Sequence, residues 1–268
     1  MALARATDGV IVNADASQLY ADLRVVSARP GTADEAAVEH RLYGVLDGAT
    51  PGSAASWAEA ARAELAALRA AGRTPIVVGG TGLYLKALLE GLAPVPPIPA
   101  DVRARVRAMA LAEAWAALIA EDPAAAARLR PGDSLRVRRA LEVVWGTGRP
   151  LAAWQVRREG GVAAEWRIAA TLVDPGRDTL ARRAAARIAA MWAAGAEAEV
   201  AALLARGLDP GLPVMKAVGV RPLAAWLGGR LDRDAATAAW LTETLQLAKR
   251  QRTWFRHQGA AWAGMAGG

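Results

Sequence analysis

Two short stretches carry residue types suited to group-transfer chemistry. In the first, Val10-Ile11-Val12 runs into Asn13-Ala14-Asp15-Ala16-Ser17-Gln18, so a carboxylate follows closely on an apolar run. In the second, Ile76-Val77-Val78 breaks into Gly79-Gly80-Thr81-Gly82 before helical spacing resumes at Leu83-Tyr84. A carboxylate can accept the proton of a nucleophile. Glycines let backbone amides crowd around phosphate oxygens, and a hydroxyl among them can stabilise an anionic leaving group. Each stretch also has a purely structural reading: Asp15 as a carboxylate bonding backbone amides at a strand end or helix start, Thr81 as a cap after a tight turn.

The elements that must position these groups follow from the surrounding pattern. The runs at 10–12 and 76–78, the second preceded by Gly72 and Pro75, read as buried parallel strands. Between them Ser56 and Glu59 have capping-box spacing, Trp57, Ala61, Leu65 and Leu68 share one helical face, and Gly72 closes the helix. A helix feeding a parallel strand is the unit of an α/β sheet, whose ligands bind beyond the carboxyl ends of the strands. Asp15 and Thr81 are therefore expected to face one crevice.

Pro94-Val95-Pro96-Pro97-Ile98-Pro99 marks a break. Helical spacing dominates residues 101–127 and 135–145 and stops at Thr147-Gly148-Arg149-Pro150. Residues 166–173 read as a returning strand, helices resume at Asp178, and a strongly basic last helix covers 242–257. The expected organisation is an α/β core with C-terminal helices from residues 1–97 and 165–268, interrupted by a predominantly helical insertion at 98–164.

With 268 residues, 54% of them hydrophobic, the chain can bury a sizeable core. It has no cysteine and two histidines, His40 and His257, which argues against a disulfide framework or a thiolate metal site; no metal ligand is identified. No leader pattern opens the chain and no apolar run is long enough to span a bilayer, so a soluble, cytoplasmic, monomeric protein without a membrane partner is expected. The formal charge of +7 suits a polyanionic partner, although arginines on alanine-rich helices equally well solvate an exposed face.

Six strings then occur in order: Asp15-x-Ser17-Gln18-x-Tyr20; Ser27-Ala28-Arg29-Pro30; Val78-Gly79-Gly80-Thr81-Gly82-Leu83-Tyr84; Arg136-x-x-Arg139-Ala140-Leu141-Glu142-Val143 with Thr147-Gly148; Met215-Lys216-Ala217-Val218-Gly219-Val220-Arg221; and Ala248-Lys249-Arg250-Gln251-x-Thr253-Trp254-Phe255-Arg256. Together they resemble the tRNA dimethylallyltransferases (tRNA isopentenyltransferases) over nearly the whole chain. The resemblance implies a P-loop-NTPase-like parallel sheet flanked by helices with an inserted helical domain. It also implies transfer of a dimethylallyl group from dimethylallyl diphosphate to the exocyclic amine of the adenine 3′ of the tRNA anticodon.

On that reading Asp15 is the base, and Thr81 with Gly79 and Gly80 receives the diphosphate. Arg183 and Arg187, four residues apart, clamp the diphosphate from the other side or are solvated. Ser17 and Gln18 read the edges of an extruded adenine. Arg136, Arg139, Lys216 and Arg221 add contacts to tRNA, and Lys249, Arg252 and Arg256 form a cationic stripe beside Trp254 and Phe255, or a surface face over an aromatic anchor. Tyr20 and Tyr84 line the prenyl pocket or simply pack. Pro222 is expected to stop a helix early and shift Arg221.

The resemblance further implies Mg²⁺ and a first strand with a Gly-x-x-x-x-Gly-Lys-Ser/Thr loop, of which no trace precedes Val10. The residues at 1–6 resemble the end of the helix after such a loop. The expectation is a sheet lacking its first strand in a shortened chain of low stability and activity. Two alternatives share these residues: an adenylate isopentenyltransferase acting on free nucleotide, against which the stripe on the last helix argues, and a degenerate RNA-binding remnant.

Overall fold

A computed structural model describes residues 1–263. The chain divides into two compact units, Met1–Leu89 with Val162–Gly268, and Glu90–Gly161.

In the first unit a short helix α1 (Ala2–Ala6) leads into β1 (Gly9–Asn13). Helix α2 (Thr32–Ala37) precedes the two-residue β2 (His40–Arg41), and α3 (Ala54–Ala70) precedes β3 (Thr74–Val78) and α4 (Gly82–Glu90). The sheet order is β2-β1-β3, all parallel. All five residues of β1 are buried because it lies between two neighbours, which is why its sequence is apolar without alternation. The register pairs Ile11 with Ile76 and Asn13 with Val78. Strands that end level with each other send their next residues out side by side, so 14–18 and 79–81 emerge together.

Helix α3 buries Trp57, Ala61, Leu65 and Leu68, the face expected from their spacing. Its cap differs from the expected one. Ser53 accepts from the Ser56 amide while the Ser56 hydroxyl receives the Ser53 amide, and Ser56 with Glu59 forms no box. Two serines three apart satisfy the same geometry one turn earlier. Helix α3 closes at Gly72 with φ +68°, as its glycine predicts.

Strand β3 forms where the apolar run lies but is not buried: Val78 is 47% exposed, and β3 pairs along one edge only among the described residues. Pro75, which has no N–H to donate, is at home in such an edge strand. Residues 166–173, expected to return to the sheet, form no strand; Val173 is 80% exposed. A run of this composition becomes a strand only where a ladder partner exists, and no described segment pairs with this one.

The second unit is helical, with α5 (Ala100–Ala108), α6 (Leu111–Glu121), α7 (Pro123–Ala126), α8 (Ser134–Thr147) and α9 (Leu151–Trp154). Its core joins Val106, Ala114, Leu118, Ala125, Val137, Ala140, Leu141 and Val144. Helix α8 is capped by the Asp133 carboxylate and ends at Gly148 in the left-handed region, as the Thr147-Gly148 string suggests.

The remaining helices, α10 (Arg177–Ala193), α11 (Ala196–Ala205), α12 (Val220–Leu227) and α13 (Arg233–Ala263), belong to the first unit. Their core includes Ile188, Trp192, Ala196, Val200, Leu203, Leu223 and Trp240, packed with Tyr20, Leu23 and Val26 from the loop after β1. Pro222 does not stop a helix. It stands in the first turn of α12, where its missing N–H breaks no intrahelical bond, so Arg221 is held in the helix start. Among the described residues no single helix is long and apolar enough to cross a membrane.

Candidate active site

The site is built on Asn13, the last residue of β1 and fully buried. Its side-chain oxygen accepts from the Asp15 amide, and its Nδ2 donates to the carbonyls of Asp15 and Leu42. The Trp57 indole donates to the Asn13 carbonyl at 2.8 Å. A buried amide with its donors and acceptor all used fixes the turn that follows, because breaking any one bond strands a polar group away from water. Asn13 thereby orients Asp15. Sequence reading passed over it, although an asparagine at the end of an apolar strand was a visible signal.

Asp15 Oδ1 accepts from the Ser17 amide at 2.9 Å and from the Ser17 hydroxyl at 2.6 Å. Its Oδ2 takes no described hydrogen bond. Both readings of this residue are therefore compatible: one oxygen caps backbone, as a structural carboxylate would, and the other remains as an acceptor. Burial, followed by the negative charge of Asp15, pushes the Tyr43 phenol up to about 12, and burial chiefly does the same for Tyr84. Both phenols stay neutral at physiological pH, and Tyr84 stacks on Trp57 with ring centroids 4.8 Å apart.

Thr81 stands directly beside this turn. Its hydroxyl oxygen accepts from the Ala16 amide at 2.9 Å, and its own amide donates to the Ala14 carbonyl at 3.2 Å. The Ala14 amide in turn donates to the Val78 carbonyl at 2.8 Å. The hydroxyl proton of Thr81 is left to donate outward. Gly79 is required by this approach: a Cβ there would lie 2.2 Å from the Ala14 carbonyl carbon. The loop enters α4, whose dipole favours an anion at this end; the Tyr84 and Leu85 amides already donate to the Thr81 carbonyl, at 2.9 and 3.3 Å.

Helix α13 closes over the other side of the loop. Gln251 Nε2 donates to the Gly80 carbonyl at 3.1 Å, and a Cβ on Gly82 would meet the Trp254 ring at 2.4 Å. The motif string containing Gln251 and Trp254 was legible, but its contact with the Gly79–Gly82 turn was not, because it joins residues far apart in sequence.

Gln18 donates its Nε2 to the carbonyls of Ser27 and Ala28, both at 3.0 Å. Two carbonyls must face the NH₂ end, so the side-chain oxygen is the group left to a ligand. Tyr20 is buried and its hydroxyl accepts from the Gly52 amide, so it packs, as does Tyr84.

The basic residues fall into two groups. Arg252 pairs with Asp174 at 2.9 Å, Arg136 with its helix-capping Asp133 at 3.3 Å, and Arg139 approaches Glu142 at 3.8 Å. The Gly176 amide and then Arg252 hold Asp174 below the usual carboxylate range. Lys216 donates to the Gly211 carbonyl. Lys249 and Arg256 on α13, Arg221 on α12, and Arg183 and Arg187 on α10 are exposed and make no ion pair with a described residue. No described contact ties Arg183 or Arg187 to the Gly79–Thr81 loop.

A parallel sheet whose neighbouring strand ends bring a carboxylate against a glycine–threonine turn is an α/β arrangement of the kind that binds its ligands beyond the carboxyl ends of the strands. Residues 18–258 match the IPP transferase family, and the chain belongs to that family. A tRNA dimethylallyltransferase of Sphingopyxis alaskensis is 55% identical over 259 residues, 96% of this chain and 85% of the relative. One from Zymomonas mobilis is 49% identical, covering 94% of this chain and 81% of the relative. Among solved structures, the full-length tRNA isopentenylpyrophosphate transferase from Bacillus halodurans superposes with a TM-score of 0.67 at 26% identity, covering 96% of this chain and 81% of that one. A eukaryotic dimethylallyltransferase solved acting on tRNA shares the fold, with a TM-score of 0.76 at 21% identity over 94% of this chain and 65% of its own.

Proposed function

We infer that this chain transfers a dimethylallyl group from dimethylallyl diphosphate to the exocyclic amine of the adenine 3′ of the anticodon in tRNA. The observation that carries the reading is the hydrogen bond from the Ala16 amide to the Thr81 hydroxyl, which sets the Gly79–Thr81 loop against the turn holding Asp15. The names of the relatives support the acceptor and the transferred group.

In this mechanism the adenine amine attacks C1 of the dimethylallyl group. The C–N bond forms as the C1–O bond breaks, and the bonding pair leaves on the diphosphate oxygen. An aromatic amine has its lone pair delocalised into the ring, so loss of its proton to Asp15 Oδ2 makes it a competent nucleophile. Ser17 holds the other carboxylate oxygen, which aims Oδ2. The Thr81 hydroxyl and the amides around Gly79 and Gly80 stabilise charge that grows as diphosphate departs, so they act more on the transition state than on the bound donor. Gln18 presents an acceptor oxygen suited to an amino group on the base. The exposed, unpaired Lys249, Arg256, Arg221, Arg183 and Arg187 supply charge for the phosphates of tRNA and donor, and the paired Arg252, Arg136, Arg139 and Lys216 supply less.

Mg²⁺ would neutralise the donor diphosphate. Among the described residues no group of three histidine, aspartate or glutamate side chains is placed to hold an ion, and no step here depends on one. We place the protein in the cytoplasm as a monomer, away from membranes. Incubating the purified protein with radiolabelled dimethylallyl diphosphate, Mg²⁺ and either tRNA or AMP tests the reading: label is expected in tRNA, and transfer to AMP with none to tRNA would replace it with a free-nucleotide enzyme.

A further inference from the structure

Glu199 on α11 lies far in sequence from the segment after β1, yet its carboxylate accepts three consecutive backbone amides there. Oε2 accepts from Arg24 at 2.7 Å and Val25 at 2.8 Å, and Oε1 from Val26 at 2.9 Å. Three successive amides converging on one carboxylate form an anion nest, here filled from within the protein. The segment they open is closed on itself. Ala28 and Arg29 donate back to the carbonyls of Val25 and Arg24, the Ser27 hydroxyl donates to the Leu23 carbonyl, and Ala28 takes a φ of +55°. Left-handed backbone at an alanine persists only where its surroundings hold it.

The far side of this turn presents the carbonyls of Ser27 and Ala28, and these are the two groups that grip Gln18 Nε2. The chain of contacts therefore runs from Glu199 through the 24–28 backbone to the orientation of one side chain at the candidate acceptor site. Core packing anchors both ends, since Leu23 and Val26 join one apolar cluster with Ala196, Val200 and Leu203, which flank Glu199 on its helix.

We propose that Glu199 is a positioning residue for the acceptor base: by fixing residues 24–28 it locks the Gln18 amide so that only its oxygen faces the substrate, favouring a base that offers an amino group. The proposal rests on the prenyl-transfer reading above. Glutamine at 199 keeps the shape but turns an NH₂ toward one of the amides, opposing donor to donor, so Glu199→Gln separates charge and acceptor capacity from packing.

The experiment measures steady-state transfer with tRNA and donor varied separately, for the wild type, Glu199→Gln, Gln18→Ala and the double variant, with thermal melting of each. Glu199→Gln is expected to raise the KM for tRNA roughly tenfold, the loss of about one charge-assisted hydrogen bond, while leaving the KM for dimethylallyl diphosphate unchanged. In the Gln18→Ala background the same change is expected to have little further effect, because its target is already gone. Effects that add in full, or a Glu199→Gln variant whose KM rises equally for donor and tRNA, would overturn the proposal. A wild type that transfers nothing to tRNA would instead refute the reading on which it stands.

Discussion

Asp15 is the residue on which the chemistry turns, and its two oxygens have separate duties. Replacing it with asparagine keeps the Ser17 contacts at one oxygen and puts an amide where the base was. Transfer is expected to fall roughly 10²–10⁴-fold in kcat, with tRNA affinity in a filter-binding assay nearly unchanged. Equal loss of binding and turnover would make Asp15 a structural cap instead. Thr81→Val keeps the bulk and removes the hydroxyl, so kcat is expected to drop about 10²-fold with little change in the KM for tRNA. The same substitution leaves the Ala16 amide without its acceptor, and a lower melting temperature should accompany the loss. Asn13 shows what a motif search misses. Its role was hidden because it bonds the Leu42 carbonyl, a partner that no local pattern announces.

The loop between β3 and α4 tests how two elements can approach. A methyl on Gly79 meets the backbone of Ala14, which the sheet holds fixed, whereas one on Gly80 meets the end of the Gln251 side chain, which can swing away. Gly79→Ala is therefore expected to destabilise the fold by about 1–3 kcal/mol in urea unfolding, and Gly80→Ala by clearly less. Helix α13 makes a second comparison. Among the described residues Lys249 has no ionic partner, and Arg252 is already paired with Asp174. If the helix meets tRNA, Lys249→Ala should lower the slope of log affinity against log salt by about one, and Arg252→Ala by less, since pairing leaves it fewer phosphates to neutralise. The sequence places both residues on one stripe; which of them is paired depends on Asp174, a residue distant in sequence that only the fold brings to Arg252.

Considered as one molecule, the protein carries a buried phenol, Tyr84, and a half-buried one, Tyr43, close to its candidate site, and their titration bears on its stability at alkaline pH. The Tyr43 and Tyr84 hydroxyls, ordinarily near 10.0, are each pushed to about 12, mainly by burial. Above pH 10 the unfolded chain loses these protons while the folded chain retains them, so their contribution is intact below pH 10 and vanishes as pH rises through 12. Melting temperature is expected to fall across that window, and Tyr84→Phe should flatten part of the fall; a profile unchanged by that substitution would assign the loss to other groups. The parallel α/β plan, the helical stretch after the prolines, Asp15 beside a glycine–threonine turn and the family itself could all be read from the chain, because periodicity, caps and short strings are properties of neighbours in sequence. The edge position of β3, the unformed strand at 166–173, the grip of Gln251 on Gly80 and of Glu199 on residues 24–26 could not. Each depends on which distant group arrives to complete a ladder or a hydrogen bond, and only folding brings those groups together.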